Sequence, residues 1–484
     1  MNEKPDFQRA LGHALTHALA HLDSLPDSPV AATASLATLR ERLAKPLAAD
    51  GVPAEQVIDE LVADTAGGIM GSAGGRFFAV VIGGALPAAL AADWLASAWD
   101  QNAASYACGP AVAVIEEVCG AWLKSLLGVP ADASFAITSG CQMAHVTALA
   151  AARHALLARR GIDVERQGLC GGPALRIVSS DQLHGSISRA ARLLGFGTNA
   201  IHALPADSDG RLEAGRLDAA LREAADSPSI VVLQAGDLNI GAFDAFAELI
   251  PIAHRHGAWV HVDGAFGLWA AASERYRHLL LGAATADSWT TDGHKWLNVP
   301  YDCGFAFVAE PQSHRAAMSF QASYVTHHDD VREQKDWNPE WSRRARGVAT
   351  YAAIRELGTR GVADLVERNC AAAHAIVTRI AAPRGGDDPE QADAQVGVRM
   401  MWEPRLNQGL LRFVDLRDGA SEADHDSLTD EITRRVAEGG EAFFSNTTWR
   451  GQRCMRVSVC NWQTGDDDVA RAVAAVRRAM RQGI

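Results

Sequence analysis

The sequence predicts an α/β protein built on a mostly parallel sheet flanked by helices, and two observations carry that expectation. Between about residue 85 and residue 310, short and nearly continuous apolar runs alternate with alanine-rich stretches at helical spacing. Such runs are strands buried on both faces, which is the condition of a parallel sheet covered by helices. At 484 residues, moreover, the chain exceeds a single hydrophobic core, so smaller flanking domains are expected. The division we draw is an N-terminal helical segment at 1–85, a large domain at 86–358, and a small C-terminal α+β domain at 359–484.

Residues 1–75 carry apolar positions at helical spacing, broken by Pro26, Pro29, Pro46 and Pro53. They read as short helices unable to form a core alone, and a partner subunit is the surface they would cover. Five strands are expected in the large domain: Ser134 to Ile137, Leu175 to Val178, Ser229 to Leu233, Ala258 to Val262 and Gly304 to Val308. A helix from His145 to Arg160 follows the first of them. Residues 315–345 are polar without a clear period and read as a long mobile loop. After Pro339 a helix runs through Gly358, and the last unit adds strands at Leu410 to Val414 and Cys454 to Val459, with a polar loop from Ala382 to Asp393.

Composition narrows the classes. Hydrophobic residues make up 48% and charged residues 21%, as in an ordinary globular protein. A net charge of −13 with no dense lysine or arginine stripe argues against nucleic acid as a main partner. The eight cysteines show no CxxC pair and no metal-type spacing, so they read as reduced thiols in a cytoplasmic protein without a metal centre. The most apolar stretch, Phe77 to Ala92, is too short and too broken by glycine and proline to span a bilayer.

The chemistry concentrates at strand ends. The run AWVHVDGA (258–265) ends its apolar stretch in Asp263, and the segment TTDGHKWL (290–297) presents Lys295 beside His294. A carboxylate at a buried strand end followed by a lone lysine on a polar turn is what pyridoxal phosphate chemistry requires. The amine forms a Schiff base with an aldehyde, and the carboxylate holds a proton on the pyridine nitrogen. Taken alone, Lys295 could be a solvated surface charge and Asp263 a strand-end cap. The apolar Trp296 and Leu297 beside Lys295 lead us to expect a lowered lysine pKa. The turn TSGCQMA (138–144) opens a helix and offers backbone N–H groups to a phosphate, although ordinary strand-to-helix turns look the same. SSDQLHGS (179–186) places His184 after a strand, where it could lie on a flat ring or serve simply as a structural histidine. GDLNIG (236–241), with Asp244 after it, is a further loop on the same edge.

Together these segments resemble the pyridoxal-dependent decarboxylases of the aromatic-amino-acid and glutamate decarboxylase type (group II, fold type I, aspartate aminotransferase-like), from Arg76 to Asn461. GHKWLNVPYDC (293–303) looks like the Schiff-base segment, SSDQLHGS with Arg189 and Ala190 like the ring-stacking histidine segment, and VDGA (262–265) like the pyridine-nitrogen aspartate. The resemblance implies Lys295 as the Schiff-base lysine, Asp263 at the ring nitrogen, Ala265 among the cofactor-binding residues, and His184 stacked on the ring. It places Cys141 and Gln142 near the phosphate and His294 beside cofactor and substrate. It also implies a homodimer with active sites at its interface. Tyr324, in ASYVTH (322–327), falls where the family carries a loop tyrosine that returns a proton to Cα, whereas aldehyde-forming relatives have phenylalanine there. The activity implied is an L-amino-acid decarboxylase releasing CO₂ and the amine.

The sequence also departs from the pattern. Cys141-Gln142-Met143 stands where the family often shows Gly/Ala, Ser/Thr and Glu, and Asp292, where animal aromatic decarboxylases have asparagine, reads as structural. Ala79 to Ile82 is aliphatic, and Ala104 replaces a phenylalanine, which argues against an aromatic substrate. The competing readings are a decarboxylation-dependent aldehyde synthase, another lyase or aminotransferase on this fold, and a silent scaffold.

Overall fold

The computed structural model describes residues 7–320, 331–382 and 395–482. It divides into two compact units: one of residues 83–374 with 402–410, the other of residues 1–82, 375–401 and 411–484. The sequence division at 85/86 and 358/359 differs from this, because residues 1–82 cluster with the C-terminal part of the chain.

The larger unit is organised on seven strands: β1 (Ser134–Thr138), β2 (Arg176–Ser180), β3 (Ile201–Leu204), β4 (Ser229–Gln234), β5 (Trp259–Asp263), β6 (Ser288–Asp292) and β7 (Gly304–Val308). Their order is β1-β7-β6-β5-β4-β2-β3. Only β7 runs antiparallel to its neighbours, β1 and β6. The five expected strands are present, because β1, β4, β5 and β7 are buried along their whole length and β2 nearly so. β3 and β6 escaped the sequence reading. β3 is a short edge strand, and β6 (SWTTD) is polar yet wholly buried.

Register gathers the chemistry at one edge. Gln234 pairs with Asp263, Asp263 with Thr290, Asp292 with Gly304, and Gly304 with Thr138. The helix over the sheet starts at Cys141, four residues before the expected His145, and runs to Ala158. Gly304 allows the start of β7 to touch this helix's first turn: a Cβ there would lie 2.5 Å from the Gly140 backbone.

The polar segment after residue 330 is not a solvated loop. Glu333, Gln334, Lys335, Asp336, Asn338 and Arg343 are buried, and the next helix starts at Gly347 rather than after Pro339. Arg343 is the centre of this region. Its guanidinium donates to Glu116 at 2.8 and 3.0 Å, to the Ala103 carbonyl at 2.9 Å and to the Ile137 carbonyl at 2.5 Å. It thereby ties the C-terminal end of β1 to two other segments. The backbone turns non-helical at Gly358 within the Gly347–Ala381 helix, so the expected stop there is a kink.

The other unit holds a four-stranded sheet of order β10-β11-β9-β8, from β8 (Val396–Trp402), β9 (Gln408–Asp415), β10 (Ser445–Trp449) and β11 (Gln452–Ser458). Phe77 stacks on Phe443 and Phe78 on Phe444, with centroids 5.2 and 5.3 Å apart. Arg76 fastens this seam through the carbonyls of Leu25, Ser28 and Glu441. The helices Phe7–Ser24, Leu36–Leu43 and Ala54–Thr65 contain no buried residue. Among the described residues, no helix is long and apolar enough to cross a membrane.

Candidate active site

Asp263 ends β5, buried, with Oδ1 accepting the Ala265 N–H at 3.2 Å. Ala265 in turn accepts the Asp292 N–H through its carbonyl at 2.9 Å, so it serves the site through its backbone. Facing Asp263 Oδ2 at 3.6 Å is Nε2 of His145, a wholly buried ring nitrogen with no hydrogen-bond partner among the described residues. Burial works to raise the Asp263 carboxyl, but the surrounding imidazoles, that of His145 foremost, favour its ionised form as polar neighbours and with the Lys295 ammonium outweigh it. The carboxyl therefore stays below the usual carboxylate range.

Lys295 lies on the turn after β6, its side chain 21% exposed, with Nζ 3.0 Å from Asp292 Oδ2. Close packing against Gly83, whose added Cβ would lie 1.8 Å from the Lys295 carbonyl, sets the position of this turn. The lowered pKa expected from apolar neighbours is corrected by the structure. Burial does penalise the ammonium, but the carboxylates of Asp292 and Asp263 more than offset that, and the pKa lies above the usual lysine value.

Asp292, which reads as structural in the sequence, lies at the junction of the site. Its Oδ1 accepts the Cys141 N–H at 2.6 Å, at the start of the covering helix, and stands 3.5 Å from His294 Nε2. Cys141 is buried, and burial together with Asp292 drives its thiol well up, so it is a neutral packing group. Gln142 donates from Nε2 to the Ser186 carbonyl at 3.2 Å, joining the helix start to the loop of His184. His294 accepts the Cys303 N–H on Nδ1 at 3.1 Å and stacks on Tyr301 with centroids 4.3 Å apart.

His184 caps the helix Gly185–Leu193, its Nδ1 accepting the Ser186 N–H at 3.3 Å. Nδ1 is thus an acceptor, which puts the proton of the neutral ring on Nε2. The ring is exposed, free to cover a flat ligand. Tyr324 lies outside the described residues. The sequence reading missed His145 and His261. The available signal was alternation: Trp259, His261 and Asp263 sit at every second position of a strand that otherwise reads as apolar.

A family model described as the pyridoxal-dependent decarboxylase conserved domain matches residues 39–385. The chain belongs to the pyridoxal-dependent decarboxylase family. Among its relatives, an aromatic-L-amino-acid decarboxylase of Bacillus atrophaeus is 26% identical over 97% of this chain and 94% of its own. An L-2,4-diaminobutyrate decarboxylase of Rhizobium meliloti (strain 1021) is 30% identical over 81% of this chain and 75% of its own. The structure of Oryza sativa TDC with PLP and tryptamine superposes with a TM-score of 0.89 over 99% of both chains at 24% identity, a likeness of fold.

Like the rest of this family, the chain is a carboxy-lyase that uses pyridoxal phosphate. Its own residues suit that cofactor. The buried carboxylate of Asp263 has few donors of its own, and beside it stands the unpartnered Nε2 of His145. A lysine stands within the same electrostatic cluster, and a flat imidazole is exposed nearby. The Gln142 N–H at the helix start has no protein acceptor among the described residues, as a phosphate site needs.

Proposed function

We propose that Lys295, Asp263, His184 and Tyr324 carry the decarboxylation of an L-amino acid to CO₂ and the corresponding amine. The single observation behind this reading is geometric: Asp263 at the end of β5 pairs with Thr290 on β6, and Asp292, two residues further on, holds Lys295 Nζ at 3.0 Å and the Cys141 N–H at 2.6 Å. When bound, pyridoxal phosphate supplies the electron sink that accepts the bonding pair as CO₂ leaves.

The protein's part follows from its charges. Asp263, kept ionised in a buried site, holds a proton on a ring nitrogen placed against it. Lys295 Nζ would hold the cofactor aldehyde, and as a free ammonium it rests 3.0 Å from Asp292 Oδ2. His184, with its proton on Nε2, covers the ring. The helix start near Cys141 and Gln142 would hold the phosphate, with His294 beside it by the family resemblance. Tyr324 supplies the proton that Cα needs after CO₂ is lost, by the family resemblance. The aliphatic Ala79 to Ile82 run weighs against an aromatic side chain in the substrate.

The reading extends to a homodimer in the cytoplasm, with active sites at the subunit interface. Phe7, Leu11, Leu15 and Leu19 form an exposed stripe at four-residue spacing on a helix that buries nothing of its own. Beside it is a groove of about 710 Å³ lined by Leu25, Ile58, Leu61, Val62 and Ile69, which suits an apolar helix from a second copy. All eight cysteines are free, as in a reducing compartment.

The test is a screen of the common amino acids for CO₂, with product amine measured alongside. One equivalent of each supports the reading. Hydrogen peroxide and ammonia instead would make it an aldehyde synthase. Retention of the bound cofactor's visible absorbance in Lys295→Ala would remove Lys295 from its role.

A further inference from the structure

Behind Asp263, on the sheet face beneath the helix Cys141–Ala158, lies a chain of polar groups buried in otherwise apolar surroundings. Trp259, His261 and Asp263 alternate along β5 and so share a face, and the neighbouring strand β6 sets Ser288 opposite His261 and Thr290 opposite Asp263. His145 reaches down from the helix. The Trp259 indole Nε1 donates to Ser288 Oγ at 2.9 Å. Ser288 Oγ lies 2.9 Å from His261 Nδ1, His261 Nε2 lies 3.0 Å from His145 Nδ1, and His145 Nε2 faces Asp263 Oδ2 at 3.6 Å. Trp259, Ser288, His261 and His145 are 0–1% exposed.

With neutral rings the carboxylate end sets the direction of every proton, and the indole end is compatible with it. An indole N–H only donates, and an ionised carboxylate only accepts. Ser288 Oγ, having accepted from Trp259, turns its own proton to His261 Nδ1. The His261 proton is then on Nε2 and is donated to His145 Nδ1, which leaves the His145 proton on Nε2, pointing at Asp263. Thr290 Oγ1 lies 3.2 Å from the same His145 Nδ1. Burial lowers the pKa of both rings, so they stay neutral and one tautomer persists along the chain.

We propose that His145 is a positioning residue for the cofactor: its Nε2–H, oriented by the Trp259–Ser288–His261 chain, holds Asp263 as an oriented carboxylate against the ring nitrogen. This rests on Asp263 being the carboxylate that meets the ring. A wholly buried N–H without a full partner is costly, and the carboxylate that faces His145 Nε2, at 3.6 Å, is that of Asp263.

Long-range 15N–1H correlation spectra of histidine-labelled protein, without and with pyridoxal phosphate, read the tautomers directly. His145→Gln and His261→Gln would assign the signals. Neutral rings protonated on Nε2 at both positions are expected; a cationic ring, or His145 protonated on Nδ1, overturns the proposal. The second measurement is the dissociation constant for pyridoxal phosphate. His145→Leu should raise it by about tenfold, the scale of one charge-assisted hydrogen bond. His145→Gln, whose amide N–H can take the place of Nε2–H, should recover most of that. Equal affinity in native protein and His145→Leu, or failure of the glutamine to recover any of it, overturns the proposal. Should His145→Leu not fold, the spectra and the glutamine variant still decide. Asp263→Asn separates the two levels. If it binds as tightly as native, the assignment of Asp263 falls and the relay with it; if it weakens while His145→Leu does not, only the relay falls.

Discussion

Replacing Asp292 by asparagine should make the cofactor-free protein capture pyridoxal phosphate faster, against the usual expectation for a buried active-site charge. Capture needs Lys295 as a neutral amine, and the structure holds it as an ammonium, 3.0 Å from Asp292 Oδ2. At that separation a pair of unit charges is worth about 1.4 kcal/mol in water and about 5.5 kcal/mol at an effective dielectric of about 20. The pair is mostly buried, so the true value lies between these limits. Even the lower one is roughly a tenfold change in the ratio of amine to ammonium. Asparagine keeps the contact that orders the turn, because its Oδ1 still accepts the Cys141 N–H. Its Nδ2 then points at Lys295 as a donor, which an ammonium cannot accept and a free amine can.

The assay is stopped-flow growth of the visible absorbance of bound cofactor as a function of pH. In the native protein the capture rate climbs with pH as the raised lysine pKa is approached. In Asp292→Asn the profile moves to lower pH, and capture at neutral pH is at least about tenfold faster. The pH dependence is what discriminates. Easing of charge repulsion on the incoming phosphate would raise the rate at every pH without moving the profile. A native-like profile in a folded Asp292→Asn protein would refute the ion-pair reasoning.

Three further outcomes can be checked. Tyr324→Phe should leave cofactor affinity unchanged while product shifts from amine towards aldehyde, seen by chromatography; unchanged amine output would remove the phenol from its role. Arg343→Met should cost about 3–5 kcal/mol in urea unfolding at fixed cofactor concentration, because Glu116 is left charged and buried, and adding Glu116→Leu should recover much of it; additive losses would refute this. Leu11→Asp with Leu15→Asp should convert a sedimenting dimer to monomer and lower activity, whereas an active native monomer in ultracentrifugation would discard the dimer altogether.

What the sequence made legible follows from what each element buries. β1, β4, β5 and β7 are covered on both faces by apolar neighbours, so their runs are continuous and easily read. Asp263, Lys295 and His184 could be found because they sit where such runs end, the edge at which a parallel sheet offers its ligand site. β6 buries Ser288, Thr290, Thr291 and Asp292, residue types that a propensity reading assigns to the surface. They are paid for by hydrogen bonds to His261, His145, Ala265 and Cys141, all distant in sequence. No local pattern announces partners of that kind.

The charge on Lys295 was misjudged for the same reason. Trp296 and Leu297 are adjacent in sequence and suggested an apolar setting, but the controlling neighbour is a carboxylate three positions back, brought to 3.0 Å by the turn. The polar burial of Trp259, His261, Ser288 and Thr290 therefore has a single cause. Along one face of the sheet, the apolar core gives way to a line of groups that ends at Asp263. Each of them accepts a local cost in desolvation, so that a carboxylate can remain charged where an apolar strand would have neutralised it.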